Sequence, residues 1–115
     1  MEKVMKLASQ RAVVIFSVSS CWMCYRVKSL FHELGVNAAI HELDEEPRGV
    51  EMEKALVRLL GHRPVVPAIF IGGRLVGSID RIMSLHLSGK LMPLLRDAGG
   101  GKLMPLLRDV GGMWL

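Results

Sequence analysis

Cys21 and Cys24 stand two residues apart in Ser19-Ser-Cys-Trp-Met-Cys24, and they are the only cysteines in a chain of 115 residues. That spacing serves a reactive dithiol, half of a metal site, or a pair of inert buried thiols. A structural zinc site needs four ligands, so a second pair would have to come from the histidines. His32, His41, His62 and His86 contain no pair at H-x₃₋₅-H spacing, so no metal site is expected. A purely structural disulfide across two residues would close a very small loop and remove little entropy from the unfolded chain. The choice between reactive and inert thiols rests on where the surrounding elements put them.

Ala12-Val-Val-Ile-Phe-Ser17 is a short apolar, β-branched run and reads as a buried strand. Ser19 and Ser20 follow as candidate helix N-caps. Met23, Val27, Leu30, Phe31 and Leu34 then recur at three- and four-residue spacing until Gly35 stops the helix. Cys21 is thereby expected at a strand-to-helix junction. There the free N–H groups of the first turn favour a thiolate and lower a cysteine pKa. Cys24 is expected one turn inside, in reach of a mixed disulfide on Cys21.

Residues 38–43 read as a second strand, parallel to the first because a helix intervenes. Residues 48–60 form an amphipathic helix with Met52, Ala55, Leu56, Leu59 and Leu60 inward, ended by Gly61. Residues 65–71 read as a third strand, and Gly72-Gly73 turns it into residues 74–77. Ile79, Ile82, Met83, Leu85 and Leu87 suggest a further helix. The order is α-β-α-β-α-β-β-α, with one parallel pair, one hairpin and helices on both faces. A C-x-x-C beside a βαβ unit reads as a thioredoxin-like redox motif. In such folds the proline before the third strand is usually cis, which is expected for Val66–Pro67.

Composition bounds the remaining classes. Half the residues are hydrophobic and 23% are charged, as in an ordinary single domain. The N-terminal residues mix charged with apolar side chains and lack a signal-peptide h-region, and no apolar run reaches 18 residues. A non-membrane protein of a reducing compartment is expected. The net charge is +4, but the basic residues are scattered and only six residues are aromatic, so direct nucleic-acid binding is not expected.

Val13-Val-Ile-Phe-Ser-x-x-x-Cys-x-x-Cys, Glu42-Leu-Asp44, Val66-Pro67 and Phe70-Ile-Gly-Gly-x-x-Val-Gly77 together resemble a glutaredoxin over residues 10–98. Met1-Glu-Lys-Val, Ser19-Ser-Cys-x-Met-Cys, Arg81-Ile-Met-Ser-Leu-His-Leu87 and the terminal Trp114-Leu115 are similar to the plant CC-type glutaredoxins. The resemblance implies a thioredoxin-like α/β fold with a four-stranded mixed sheet, and reduction of protein disulfides or glutathionylated thiols with glutathione as co-substrate. Cys21 would be the nucleophile and Cys24 the resolving thiol. Val66 and Pro67 would present backbone to the glutathione cysteinyl unit. Ile79 and Asp80 would hold its γ-glutamyl end. Cytoplasmic and nuclear localisation is expected with it. An iron–sulfur cluster is not expected, because Trp22 crowds the site. The pattern also departs from the family. Val18 stands where a lysine is usual, Trp22 and Met23 fill the usual Pro-Tyr gap, and Val65 replaces a threonine. Each departure argues for weak glutathione turnover. That keeps a weakly catalytic adaptor as the alternative to an enzyme.

Residues 101–112 repeat 89–100 with Val110 for Ala98. The repeat reads as a duplicated terminal helix, the first copy docked on a domain of residues 1–98 and the second in a tail of residues 99–115. In CC-type glutaredoxins a Leu-x-x-Leu-Leu segment and the last residues are associated with TGA-type bZIP transcription factors. The resemblance implies the same of Leu103, Leu106, Leu107, Trp114 and Leu115.

Overall fold

A computed structural model describes residues 2–98. Helix α1 (Glu2–Ala8) leads into β1 (Val13–Ser17), then α2 (Trp22–Glu33) and β2 (Ala39–Glu42). Helix α3 (Gly49–Leu60), the hairpin of β3 (Ala68–Ile71) and β4 (Arg74–Gly77), and α4 (Ile79–Leu87) follow. A fifth helix, α5, occupies residues 91–98. The sheet order is β2-β1-β3-β4, with β1–β2 parallel and the other two pairings antiparallel.

All five residues of β1 are buried, because the central strand is covered on both faces. The pleat sorts its side chains. Val13 and Ile15 pack with Val27 and Phe31 of α2, Ile82 of α4, and Leu91 and Leu95 of α5. Val14 and Phe16 pack with Val4 and Leu7 of α1 and with Met52, Ala55 and Leu56 of α3. Two helices thus cover one face of the sheet and three cover the other.

Element limits differ from the sequence reading where backbone chemistry intervenes. The third strand begins at Ala68 rather than at residue 65, because the cis Val66–Pro67 bond leaves the extended ladder and proline has no N–H to donate. Arg63–Pro64 is also cis. The second strand spans Ala39–Glu42 rather than 38–43. Leu59, expected inward, is 36% exposed in the last turn of α3, and Leu87, at the last position of α4, is 80% exposed. Gly49 opens α3 against the Leu43 carbonyl, where a Cβ would overlap the oxygen. Gly61 ends the same helix in the left-handed conformation at φ 78°.

Candidate active site

The site begins where β1 runs out. Ser17 is fully buried, and its hydroxyl donates to Glu42 Oε2 at 2.6 Å at the end of the parallel neighbour β2. Lys28, one turn beyond Cys24 on α2, closes an ion pair with the other oxygen of Glu42. Helix, strand end and strand end are therefore fastened together directly below the cysteines.

The loop of residues 18–20 is fastened from the other side. The Ser19 N–H donates to Asp44 Oδ1 at 3.1 Å and its hydroxyl donates to Glu45 Oε2 at 2.9 Å. The Ser19 N–H is the main cause holding the Asp44 carboxyl below its ordinary value; desolvation opposes it, and the Ser19 hydroxyl, the Asp44 N–H and Lys28 each lower it further. The Cys21 N–H then donates to the Val18 carbonyl at 2.9 Å.

Cys21 itself is the N-cap of α2, where the sequence suggested Ser19 or Ser20. Its Sγ accepts from the Cys24 N–H at 3.0 Å, the bond that a serine oxygen would accept at an ordinary cap. The Ser19 hydroxyl is instead engaged by Glu45 of the acidic loop. Cys21 is half-buried while Cys24 is fully buried, and the two form a disulfide with Cα atoms 5.2 Å apart. Met23, expected inward, is 52% exposed, because Cys24 takes the inward position. Trp22 and Tyr25 are 68% and 67% exposed, and the Arg26 guanidinium lies over the indole at 5.4 Å. Beside them a groove runs between α2 and α4, lined by Tyr25, Leu30, Met83 and His86.

Register places the other expected residues at the same end of the sheet. Phe16 pairs with Ala68, so Pro67 lies level with Ser17, buried, with Val66 half-buried beside it. Gly77 pairs with Ile69, so the α4 start at Ile79 and Asp80 faces the same end. The side chain of Ser78, the N-cap of α4, makes no capping bond, and Asp80 is exposed in the first turn.

The glutaredoxin family model matches residues 13–76, more than half of the chain. The chain belongs to the glutaredoxin family. It is 71% identical to Glutaredoxin-C1 of Oryza sativa subsp. japonica over 99 residues, which span 86% of this glutaredoxin and 96% of that relative. It is 60% identical to Glutaredoxin-C15 of the same plant, over 86% of this chain and 96% of that one. The crystal structure of a buckwheat glutaredoxin–glutathione complex superposes with TM-score 0.81 at 40% identity, covering 85% of this chain and 88% of that one. The holo form of glutaredoxin C1 from Populus tremula x tremuloides matches with TM-score 0.81 at 38% identity, over 86% and 88%.

Sequence reasoning missed the two fastenings of this glutaredoxin site. Lys28 lies four residues after Cys24 on one helix stripe and Glu42 ends the parallel strand, a spacing that could have suggested their pair. Nothing in the sequence alone joins Ser19 to Asp44. Among the described residues no cluster of His, Cys, Asp and Glu could hold a metal ion, and no helix is long and apolar enough to cross a membrane. The expected partner-binding residues Leu103, Leu106, Leu107, Trp114 and Leu115 lie outside the described residues.

Proposed function

We propose that this glutaredoxin uses glutathione to reduce protein disulfides or glutathionylated thiols through Cys21. The observation that carries the reading is the asymmetry of the pair: a half-buried Cys21 at a helix N-terminus, joined by its sulfur to a fully buried Cys24. From the oxidised state, a glutathione thiolate attacks Cys21 Sγ. The Cys21–Cys24 bond breaks, Cys24 leaves as thiolate and takes a proton. A second glutathione thiolate attacks the glutathione sulfur of the mixed disulfide, releasing oxidised glutathione and the Cys21 thiolate. That thiolate attacks a substrate disulfide, expels one substrate thiol, and Cys24 closes on Cys21 to expel the other.

Glutathione would lie along Val66 and Pro67, its peptide groups meeting the Val66 backbone. The open N–H groups of the first turn of α4, at Ile79 and Asp80, suit a carboxylate. The Asp80 carboxylate suits an ammonium. The resolved buckwheat complex, from a protein 40% identical, supports the choice of ligand. Comparing wild type, Cys21→Ser and Cys24→Ser in a glutathione-coupled reductase assay tests the reading. Retention of more than a tenth of the activity in Cys21→Ser would overturn it.

The exposed Trp22, Met23 and Tyr25 favour a second reading alongside, in which the protein docks a macromolecular partner and catalysis is weak. TGA-type bZIP factors, met in the cytoplasm or nucleus, are the proposed partners. A pull-down in which both Trp22→Ala and loss of Trp114-Leu115 leave binding unchanged counts against it.

A further inference from the structure

Leu91 and Leu95 hold α5 in place, 1% and 0% exposed against Val13, Ile15, Phe31 and Ile82. Residues 101–112 carry the same side chains in the same order, apart from Val110 for Ala98. A shift of twelve residues puts Leu103 and Leu107 in the places of Leu91 and Leu95, and Met104 and Leu106 in those of Met92 and Leu94. A slot that selects by apolar shape meets the same leucines in the second set, with Val110 for Ala98 as the one difference at its edge. We propose that the slot under α5 is a binding site for either copy of the repeat, so that residues 103–110 exchange with 91–98 within one chain.

The hinge for such an exchange is the end of α4. Helix α4 is closed by Gly89 at φ 79° and by the Lys90 N–H donating to the Leu85 carbonyl at 2.9 Å. That closure uses nothing beyond residue 90, and the second copy brings its own Gly101-Lys102 entrance. The opposing term is chain entropy. The link between α4 and the docked leucine lengthens from residues 88–90 to residues 88–102, a fivefold increase that disfavours the exchange by roughly tenfold. Ala98 adds to this preference, because its Cβ lies at Gly72, where Val110 must fit two more methyl groups. The first copy is therefore the main occupant and the second a minor one, of the order of a tenth of the molecules or less. The exchange changes how far the chain end extends. Trp114 stands sixteen residues beyond Ala98 in one state and four beyond Val110 in the other.

The test is a double-mutant cycle on the full chain, read as the unfolding equilibrium constant from urea titration. Leu107→Ala alone is expected to change the constant by less than twofold. Leu95→Ala alone is expected to cost only about tenfold, because the intact second copy replaces the first. The double variant is expected to lose hundredfold or more, as a buried leucine truncation does when nothing compensates. Failure of the double variant to fold, where Leu95→Ala folds, has the same meaning. Amide exchange in Leu95→Ala should show protection moving from 91–97 to 103–109. The proposal is overturned if Leu95→Ala costs as much as the double variant or does not fold. It is also overturned if the stability of Leu95→Ala rises with protein concentration, since the slot is then filled by a second chain.

Discussion

Helices α2 and α4 begin at the same end of the sheet, and their first turns are built in opposite ways. The α2 start has no acidic residue in its first turn, and its cap is the sulfur of Cys21. The α4 start has Asp80 in its first turn and no side-chain cap from Ser78. A helix N-terminus carries about half a positive charge. On α2 that charge faces one atom, the sulfur that the proposed function uses as nucleophile. On α4 it is offset by a carboxylate, while the N–H groups stay open to a ligand. In the proposed function one terminus serves reaction and the other recognition.

Removing the reacting atom is the strongest way to break that contrast. Cys21→Ser should lower glutathione-coupled activity by a hundredfold or more, whereas Cys24→Ser should lower it by less than tenfold, because glutathione can resolve in its place. Iodoacetamide labelling of the reduced protein against pH should modify Cys21 first, and preferential labelling of Cys24 would reverse the two roles. Val18→Lys sharpens the contrast by adding charge to the reacting end. A cation within about 4–6 Å lowers a thiol pKa by roughly one to three units, so Cys21 should label at lower pH and turn over several-fold faster.

Lys28→Met removes the cation that fastens α2 to Glu42. Breaking this partly buried pair should cost about 1–2 kcal/mol in urea unfolding, discounted for the 20–26% exposure of its side chains. Asp44→Asn probes the acidic loop. The Asp44 carboxyl is held below its ordinary 3.8 in the folded protein, so its stabilisation is complete above that pH and is lost as pH falls through the lowered value. Wild type should therefore lose slightly more melting temperature than Asp44→Asn between pH 5 and pH 3. Trp22→Ala should have the smallest effect on the fold, within about 0.5 kcal/mol, because the ring is mostly in solvent. Its effect should show instead as a changed preference between protein and small-molecule disulfides.

The parts of this molecule legible in its sequence are those set by short-range pattern. The apolar run of β1, the stripe of Val27 and Phe31 and the Gly72-Gly73 turn are readable because each depends on neighbours within a few residues, whereas the cis Val66–Pro67 bond is legible only through the kind of fold the C-x-x-C and βαβ pattern implies. The cap of α2 was not readable. Ser19 and Ser20 are good caps on local grounds, and only Asp44 and Glu45, about 25 residues away, take Ser19 out of competition. The Ser17–Glu42–Lys28 fastening was hidden for the same reason, since it exists only once β1 and β2 lie side by side. Met23 was misplaced by a hydropathy argument. A small thiol at Cys24 fits beneath the helix, and the longer thioether is left outside.

The burial of Cys24 has a consequence for concentration. An outside thiol meets Cys21 and has no path to Cys24, so every mixed disulfide on this protein sits on the same sulfur. From that species two routes leave. Return of Cys24 is intramolecular and runs at a fixed rate whatever surrounds the protein. Attack by a second outside thiol runs in proportion to how much thiol is present. Under the proposed function, the rate of attack by reduced glutathione relative to this fixed rate decides whether a captured group is passed on or returned. In that cycle the position of one sulfur in the core makes the output depend on the amount of thiol around the protein, through the rates of two competing exits.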